Sequence, residues 1–411
     1  MKKMWKTIAA AACLLALLMQ TNALAETDAD RRIAALNSLC ETLETSHYNL
    51  FELVDGDTWA ARKEETVQKA QTLGDKDFSY ALMELAASLH DAHTQVGFRP
   101  DAQADMCVLP VQVYGFDDGL RLLAAPDTYE AFLGQRIVAL NGIPIDEVYE
   151  RFSALLSYDN EAYRRKMFAQ CFANADAMHY LGLADEGEYI SLTLVDANGK
   201  QTQIDLKPIM ATETQTVSWA MVHRGATPVA EQARQVYQTA EVSPDALLIS
   251  YYSCQEDPNL PMSEFTAQVK AQIEEKRYER VLVDLRYNGG GNSMILEPLI
   301  EMLKEEKEQE GFELYTLIAE NTFSSALMNA VQLERIGATL VGRPTGGSVN
   351  HYGELQSAEL QGLPLVVYYS TQHFVMDASY GEGSLLPDVT VPYLYEDYMA
   401  GKDADVEAAL R

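Results

Sequence analysis

The sequence predicts an α/β protein of several domains, with a helical N-terminal region, a small β domain and a C-terminal α/β core. Three patterns predict it. Apolar residues recur at helical spacing between residues 26 and 90. Short alternating strands fill residues 106–208, and strands alternate with helices from residue 245 onward. At 411 residues the chain has room for two or three cores.

The first 25 residues stand outside that plan. Met1-Lys-Lys-Met-Trp-Lys6 is a positive n-region, and Ile8 to Met19 is an apolar run too short for a typical membrane span. Ala23-Leu-Ala25 is a small-x-small cleavage site. We expect a cleavable signal peptide, a mature start at Glu26, and export to the periplasm, cell surface or medium with no integral membrane domain left. Removing three lysines and no acids takes the formal charge from −30 to −33. Such a chain lacks the basic footprint that nucleic acid requires, and it would be repelled by an anionic membrane surface. The remaining cysteines, Cys40, Cys107, Cys171 and Cys254, are scattered with no C-x-x-C pair. They read as plain thiols in or near cores, and they define neither a disulfide framework nor a metal site.

Leu36, Leu39, Cys40 and Leu43 form one helical stripe, and Leu82, Leu85, Ala86 and Leu89 form another. The second helix is expected to end in Leu89-His-Asp-Ala-His-Thr94. From Met106 the period changes. Val108 to Tyr114 alternates, Leu120 to Ala124 is a second run, and Gly134 to Ile145 reads as a strand, an Asn-Gly turn and a restart. Asp146 to Leu156 is helical. Tyr189 to Val195 and Gln201 to Leu206 flank the hairpin signal Asp196-Ala-Asn-Gly199. After a loosely patterned connector come strands at Ala246 to Tyr252, Val281 to Leu285, Leu314 to Ile318, Thr339 to Val341 and Leu365 to Tyr369. Helices near 263–276, 294–305 and 324–336 separate the first four. That alternation implies parallel pairs with both faces covered. The charged run Lys304 to Glu310 reads as a solvated helix end.

The core is organised around Val281-Leu-Val-Asp-Leu-Arg-Tyr-Asn-Gly-Gly-Gly-Asn-Ser293, a buried strand breaking into three glycines ahead of a helix. Glycines there leave amide N–H groups bare, a setting for an anion or a developing oxyanion. A phosphate loop does not fit: no Gly-Lys-Ser/Thr follows, and the G-x-G-x-x-G spacing fails after Gly291. A second strand-to-helix junction carries Ser324 and Ser325. Serine is a good helix cap. A serine at that place also sits where the helix dipole favours negative charge, as in the tetrahedral intermediate of acyl transfer. No G-x-S-x-G elbow surrounds it. His90 and His93 hint at a metal pair, but no third ligand and no H-E-x-x-H spacing accompany them, and no metal or cofactor is expected.

These segments together resemble the C-terminal processing, or tail-specific, serine protease family. Asp-Leu-Arg-Tyr-Asn-Gly-Gly-Gly at 284–291 looks like its D-x-R-x-N-x-G-G motif. Thr322-Phe-Ser-Ser-Ala326 looks like T-x-S-[AS]-A, Val341-Gly-Arg-Pro-Thr-Gly-Gly347 like V-G-x-P-T-x-G, and Leu386-Pro-Asp-Val389 like the closing P-D-[VI]. Leu89-His-Asp-Ala-His-Thr94 resembles the D-[GA]-H-T of the tricorn-like branch. The five stand in the family's order from 89 to 389, and Ile-Val-Ala-Leu-Asn-Gly-Ile-Pro at 137–144 resembles a PDZ domain placed where the family has one. The resemblance implies a signal peptide at 1–25, a helical region at 26–104, a PDZ-like domain at 105–210 and a ClpP/crotonase-like α/β protease core at 211–411.

It further implies Ser324 as nucleophile and an oxyanion site made by Gly289 or Gly290 with Ser325. The Ser/Lys branch is excluded, because Gly347-Ser348-Val349 holds no lysine where that branch has one. His93 is then the base, a role that suits a group titrating near neutrality. The orienting acid stays open between Glu382, one residue off the family's place, Glu354 and Asp91. Where the branch can carry serine before its histidine, this chain has Ala92. The expected protein is an exported serine endopeptidase acting on a polypeptide substrate, with a non-catalytic binder of peptides or apolar ligands as the alternative.

Overall fold

The computed structural model describes residues 27–232, 235–381 and 383–411. The expected signal peptide and Glu382 lie outside the described residues.

A mixed six-stranded sheet forms the C-terminal core, in the order Tyr237–Ser243, Ala246–Tyr251, Arg280–Asp284, Glu313–Ile318, Thr339–Gly342 and Val389–Thr390. The first pair is antiparallel and the rest are parallel. Leu247, Ile249, Val281 and Val283 face the helices Met262–Lys276, Glu297–Glu310 and Ser325–Arg335. Leu248, Leu282, Leu317 and Val341 face Val406 and Ala409 of the last helix, Ala404–Ala409. Burial on both faces explains why these strands read as unbroken apolar runs. Parallel neighbours also end on the same edge. Asp284 pairs with Leu317 in register, so the glycine turn and the Ser324 junction leave the sheet side by side.

The helical region packs Asp28–Ser46, Gly56–Thr72 and Asp75–Ala87 together. Thr27 and Asp55 cap the first two through their side chains. Leu36, Leu39, Leu43, Leu82 and Leu85 share one core with Leu365 and Val367. That last contact corrects an expectation: Leu365 to Tyr369 does not belong to the parallel sheet. It starts the strand Leu365–Val375, which pairs with Asn350–Glu359 as a hairpin and with Gln95–Phe98 from the N-terminal region. This three-stranded sheet fixes the His93 loop to the core. Periodicity cannot name a strand's partner, and here the partner lies some 270 residues away in Gln95↔Tyr368.

The small β domain holds Gln112–Phe116, Gly119–Pro126, Arg136–Leu140, Ile190–Val195 and Gln201–Leu206 around one apolar cluster. Asn141 and Gly142 turn with positive φ, as their sequence predicts. Trp219–Met221 adds a further edge strand, beyond residue 210. Two helices in this domain, Glu161–Cys171 and Ala175–Tyr180, have no counterpart in the sequence reading. The first carries four charges among eleven residues and buries only Phe168, so it has little apolar periodicity to detect. Among the described residues no helix is long and apolar enough to cross a membrane.

Candidate active site

Ser324 stands immediately before the helix Ser325–Arg335 with φ 53° and ψ −126°. A side chain in that region costs about 1–3 kcal/mol of strain. The strain earns no cap, because Ser324 makes no capping hydrogen bond. Its neighbours hold it instead. Phe323 N–H donates to Asn288 O at 3.2 Å, and Gly347 N–H donates to Thr322 O at 3.0 Å. The Thr322 hydroxyl donates to Leu285 O at 2.9 Å. Ser325 Oγ donates to Gly291 O at 2.7 Å, tying the helix start to the glycine turn.

The turn is shaped for close approach. Gly290 has φ 109°, and a Cβ there would fall 2.8 Å from Ser324 Cβ. Buried Asn288 sets its path, accepting from Gly290 N–H at 2.9 Å and donating to Tyr251 O at 3.0 Å. The amide of Gly290 is therefore already engaged. The N–H groups of Gly289 and Ser325 have no hydrogen-bond acceptor among the described residues, and they are the pair left for an oxyanion. Asp284 and Arg286, the polar ends of the same motif, do other work. The Arg286 guanidinium binds Asp284, Asp403 and Asp405 at 2.6–2.9 Å, all buried or nearly so, and pins the C-terminal helix under the sheet.

His93 lies in a loop after the helix Asp75–Ala87, not on the helix, with His90 at φ 54° turning the chain. Asp91 holds the loop. Its buried carboxylate accepts from His47 Nε2 at 3.1 Å, Thr94 Oγ1 at 2.6 Å, Ser370 Oγ at 2.7 Å and the His93 backbone N–H at 2.9 Å. Asn49 N–H donates to His47 Nδ1 at 3.2 Å, so the His47 proton sits on Nε2 and points at Asp91. Burial alone would raise the Asp91 carboxyl. The bonds from His47 and Thr94, the nearby His93 ring and the bond from Ser370 bring it below the usual carboxylate range.

The fold thus carries His93 to the neighbour of Ser324. Its imidazole stacks on Phe323 with centroids 4.5 Å apart. Both ring nitrogens are buried without a hydrogen-bond partner among the described residues, so no Ser324–His93 hydrogen bond is formed in this arrangement. Burial pulls its pKa down to about 4. Asp91 opposes that shift and His351 adds to it. The stack extends both ways: Tyr163 lies on Phe323 at 4.5 Å, and His351 lies on His93 at 5.6 Å. His351 is buried with Nδ1 bonded to Ser348 O at 2.9 Å. In sequence this stretch is marked by its missing lysine, and nothing local marks the histidine three residues beyond Ser348.

The acid candidates part company. Asp91 contacts the backbone of His93, not its ring. Glu354 is exposed at φ 56° on the hairpin, with no side-chain hydrogen bond to His93. Glu382 is outside the described residues. The His90 ring meets Tyr158 edge-on, with centroids 5.3 Å apart. Among the described residues no three ligating side chains gather.

A strained serine at a helix start, two unpaired amides beside it and an imidazole one ring away are the parts a serine-dependent acyl-transfer site needs, carried on a parallel α/β sheet. No protein-family profile matches the sequence, and no curated protein does. Among solved structures, mature CPAF complexed with lactacystin aligns with a TM-score of 0.65 at 13% identity, over 92% of this chain and 98% of that one. Mature CPAF alone aligns at 0.63 and 13%, over 92% and 96%. The photosystem II D1 C-terminal processing protease covers 91% of this chain and 98% of its own at 12% identity. Its TM-score of 0.37 is too low to argue from. At such identities the likeness is one of fold: this chain has the overall architecture of CPAF.

Proposed function

We propose that the protein is an exported serine endopeptidase of the tail-specific, tricorn-like type, cutting unfolded polypeptides or C-terminal tails. The observation that carries this is the strained Ser324, held against Gly290 at the edge where the parallel strands end. Ser324 Oγ attacks the scissile carbonyl. His93 takes the serine proton and later delivers it to the leaving amine. The Gly289 and Ser325 amides stabilise the oxyanion, each such donor being worth roughly 10²–10³ in turnover. The first step requires the His93 ring to reach Ser324, so the Phe323 stack must yield when substrate enters. The PDZ-like domain presents the substrate tail as an added strand. The apolar leader at the N-terminus supports export.

The test is hydrolysis of an unfolded protein together with fluorophosphonate labelling. Both should be lost in Ser324→Ala with the fold unchanged. Hydrolysis that survives that substitution would remove Ser324 as nucleophile. The unpartnered imidazole favours a second reading, a binder of peptides or apolar ligands on the same scaffold. In that case the natural chain would resist labelling while still retaining peptide.

A further inference from the structure

We propose that Lys166 is a specificity residue of this site, receiving a substrate carboxylate a few residues from the bond to be cut; this rests on the peptidase reading above. The helix Glu161–Cys171 is docked on the core beside the nucleophile. Asn160, its cap, donates from Nδ2 to Gly346 O at 2.8 Å and to Ser348 Oγ at 3.1 Å. Tyr163 stacks on Phe323 with planes 12° apart. Lys166, one turn further on, falls on the same side of the helix, and its ammonium lies 5.0 Å from the centre of the Tyr163 ring. From Phe323 the ammonium is then within reach of roughly three residues of extended chain at ~3.3 Å each.

Lys166 is also unlike every other cation described. Among the described residues it is the single lysine or arginine that is not exposed and yet has neither an ion pair nor a hydrogen bond. This holds in a chain with 61 acidic residues against 31 basic ones. The facing carboxylate, Glu320, is already engaged by Arg343 Nε at 3.1 Å and Tyr114 OH at 3.1 Å. Glu320 acts on Lys166 only through space, and burial holds the ammonium below its ordinary pKa. A half-buried ammonium to which the protein itself offers no acceptor is open to an incoming carboxylate, and the bond formed would be a charge-assisted one. A peptide supplies one either as its free C-terminus or as an Asp or Glu side chain.

The experiment uses the full chain carrying Ser324→Ala and labelled peptides that differ in one group. One pair ends in carboxylate or carboxamide. A second, amidated pair carries Glu or Gln at the same internal position. The charged member of one pair should bind roughly ten- to a hundredfold more tightly than its neutral twin, the worth of a charge-assisted hydrogen bond. Which pair shows the difference identifies the source of the carboxylate. Adding Lys166→Gln should erase the difference, and Lys166→Arg should keep most of it. Equal affinities within both pairs, or a preference that persists in Lys166→Gln, would overturn the proposal. Binding to Ser324→Ala needs no hydrolysis, so the two readings fail separately. A preference that depends on Lys166 in a chain that cuts nothing leaves the carboxylate site standing without the peptidase. Cutting that ignores charge does the reverse.

Discussion

The Phe323 ring lies flat on the His93 imidazole, centroids 4.5 Å and planes 20° apart. The residue just before the proposed nucleophile, Ser324, therefore occupies a face of the proposed base. His93 is kept neutral by that burial, able to accept a proton but a weaker base than an imidazole titrating near neutrality, and it is kept out of hydrogen-bond contact as well.

Keeping a histidine neutral has a consequence for stability. The folded pKa of His93, about 4, lies below its ordinary 6.5. Between those values the unfolded chain binds the proton and the folded chain does not, so stability falls as pH falls. The contribution is intact above the ordinary value and is lost on approach to the folded one, a change of roughly 3 kcal/mol. Urea unfolding of the natural chain and of His93→Gln should show the substituted chain losing less stability between neutral pH and about 4. Parallel losses in the two would mean that His93 is not buried neutral.

The Asp91 carboxylate bonds the His93 backbone and not its ring, so we expect it to act by anchoring the loop. In Asp91→Asn an amide N–H must face hydroxyl or imidazole donors, leaving buried groups unpaired, at a cost of about 2–4 kcal/mol. We expect a lower melting temperature and slower fluorophosphonate labelling of Ser324, because the His93 loop is no longer held. An Asp91→Asn chain with natural stability but no labelling would instead give Asp91 a direct part in the chemistry.

The glycines separate by geometry. Gly290→Ala places a Cβ against Ser324 Cβ and the Phe323 carbonyl with φ at 109°, whereas a Cβ at Gly289 meets nothing within 4 Å. Gly290→Ala should abolish labelling and destabilise the fold by about 1–3 kcal/mol. Gly289→Ala should keep its amide and most of the activity. Peptide hydrolysis and thermal melts on both chains decide it, and equal tolerance at the two positions would refute the close approach.

How much of this was legible follows from which signals are local. The Val281 to Leu285 strand, the glycine turn and the Ser324 junction are read from contiguous residues whose chemistry matches their place. The family resemblance then singled out His93 from far away in sequence. What escaped was the material between. The helix holding Tyr163 and Lys166 carries little apolar periodicity, because it packs on the core through one aromatic face and one cap. The strand at Leu365 was apolar enough to detect, but its sheet was set by Gln95–Phe98, and a strand's hydrogen-bonding partner leaves no mark on its own sequence. His351 was hidden for a similar reason: its neighbours in space, His93 and Phe374, come from other segments.

Tyr163 offers the sharpest test of the stacked arrangement. It covers the face of Phe323 away from His93, and the 163 ring also sits 3.1 Å from where a Cβ on Gly346 would be. Replacing it with leucine keeps apolar bulk but removes an aromatic pair worth about 0.5–1.5 kcal/mol. If that pair helps to hold Phe323 on His93, the population with the imidazole free to meet Ser324 grows by the same free energy. Fluorophosphonate labelling of Tyr163→Leu should then run roughly two- to tenfold faster than in the natural chain. A merely structural tyrosine would give the opposite sign, because a loosened helix would disorder the wall beside Ser324 and slow the reaction. An unchanged or reduced rate, with the melting temperature intact, would show that the stack does not restrain the base.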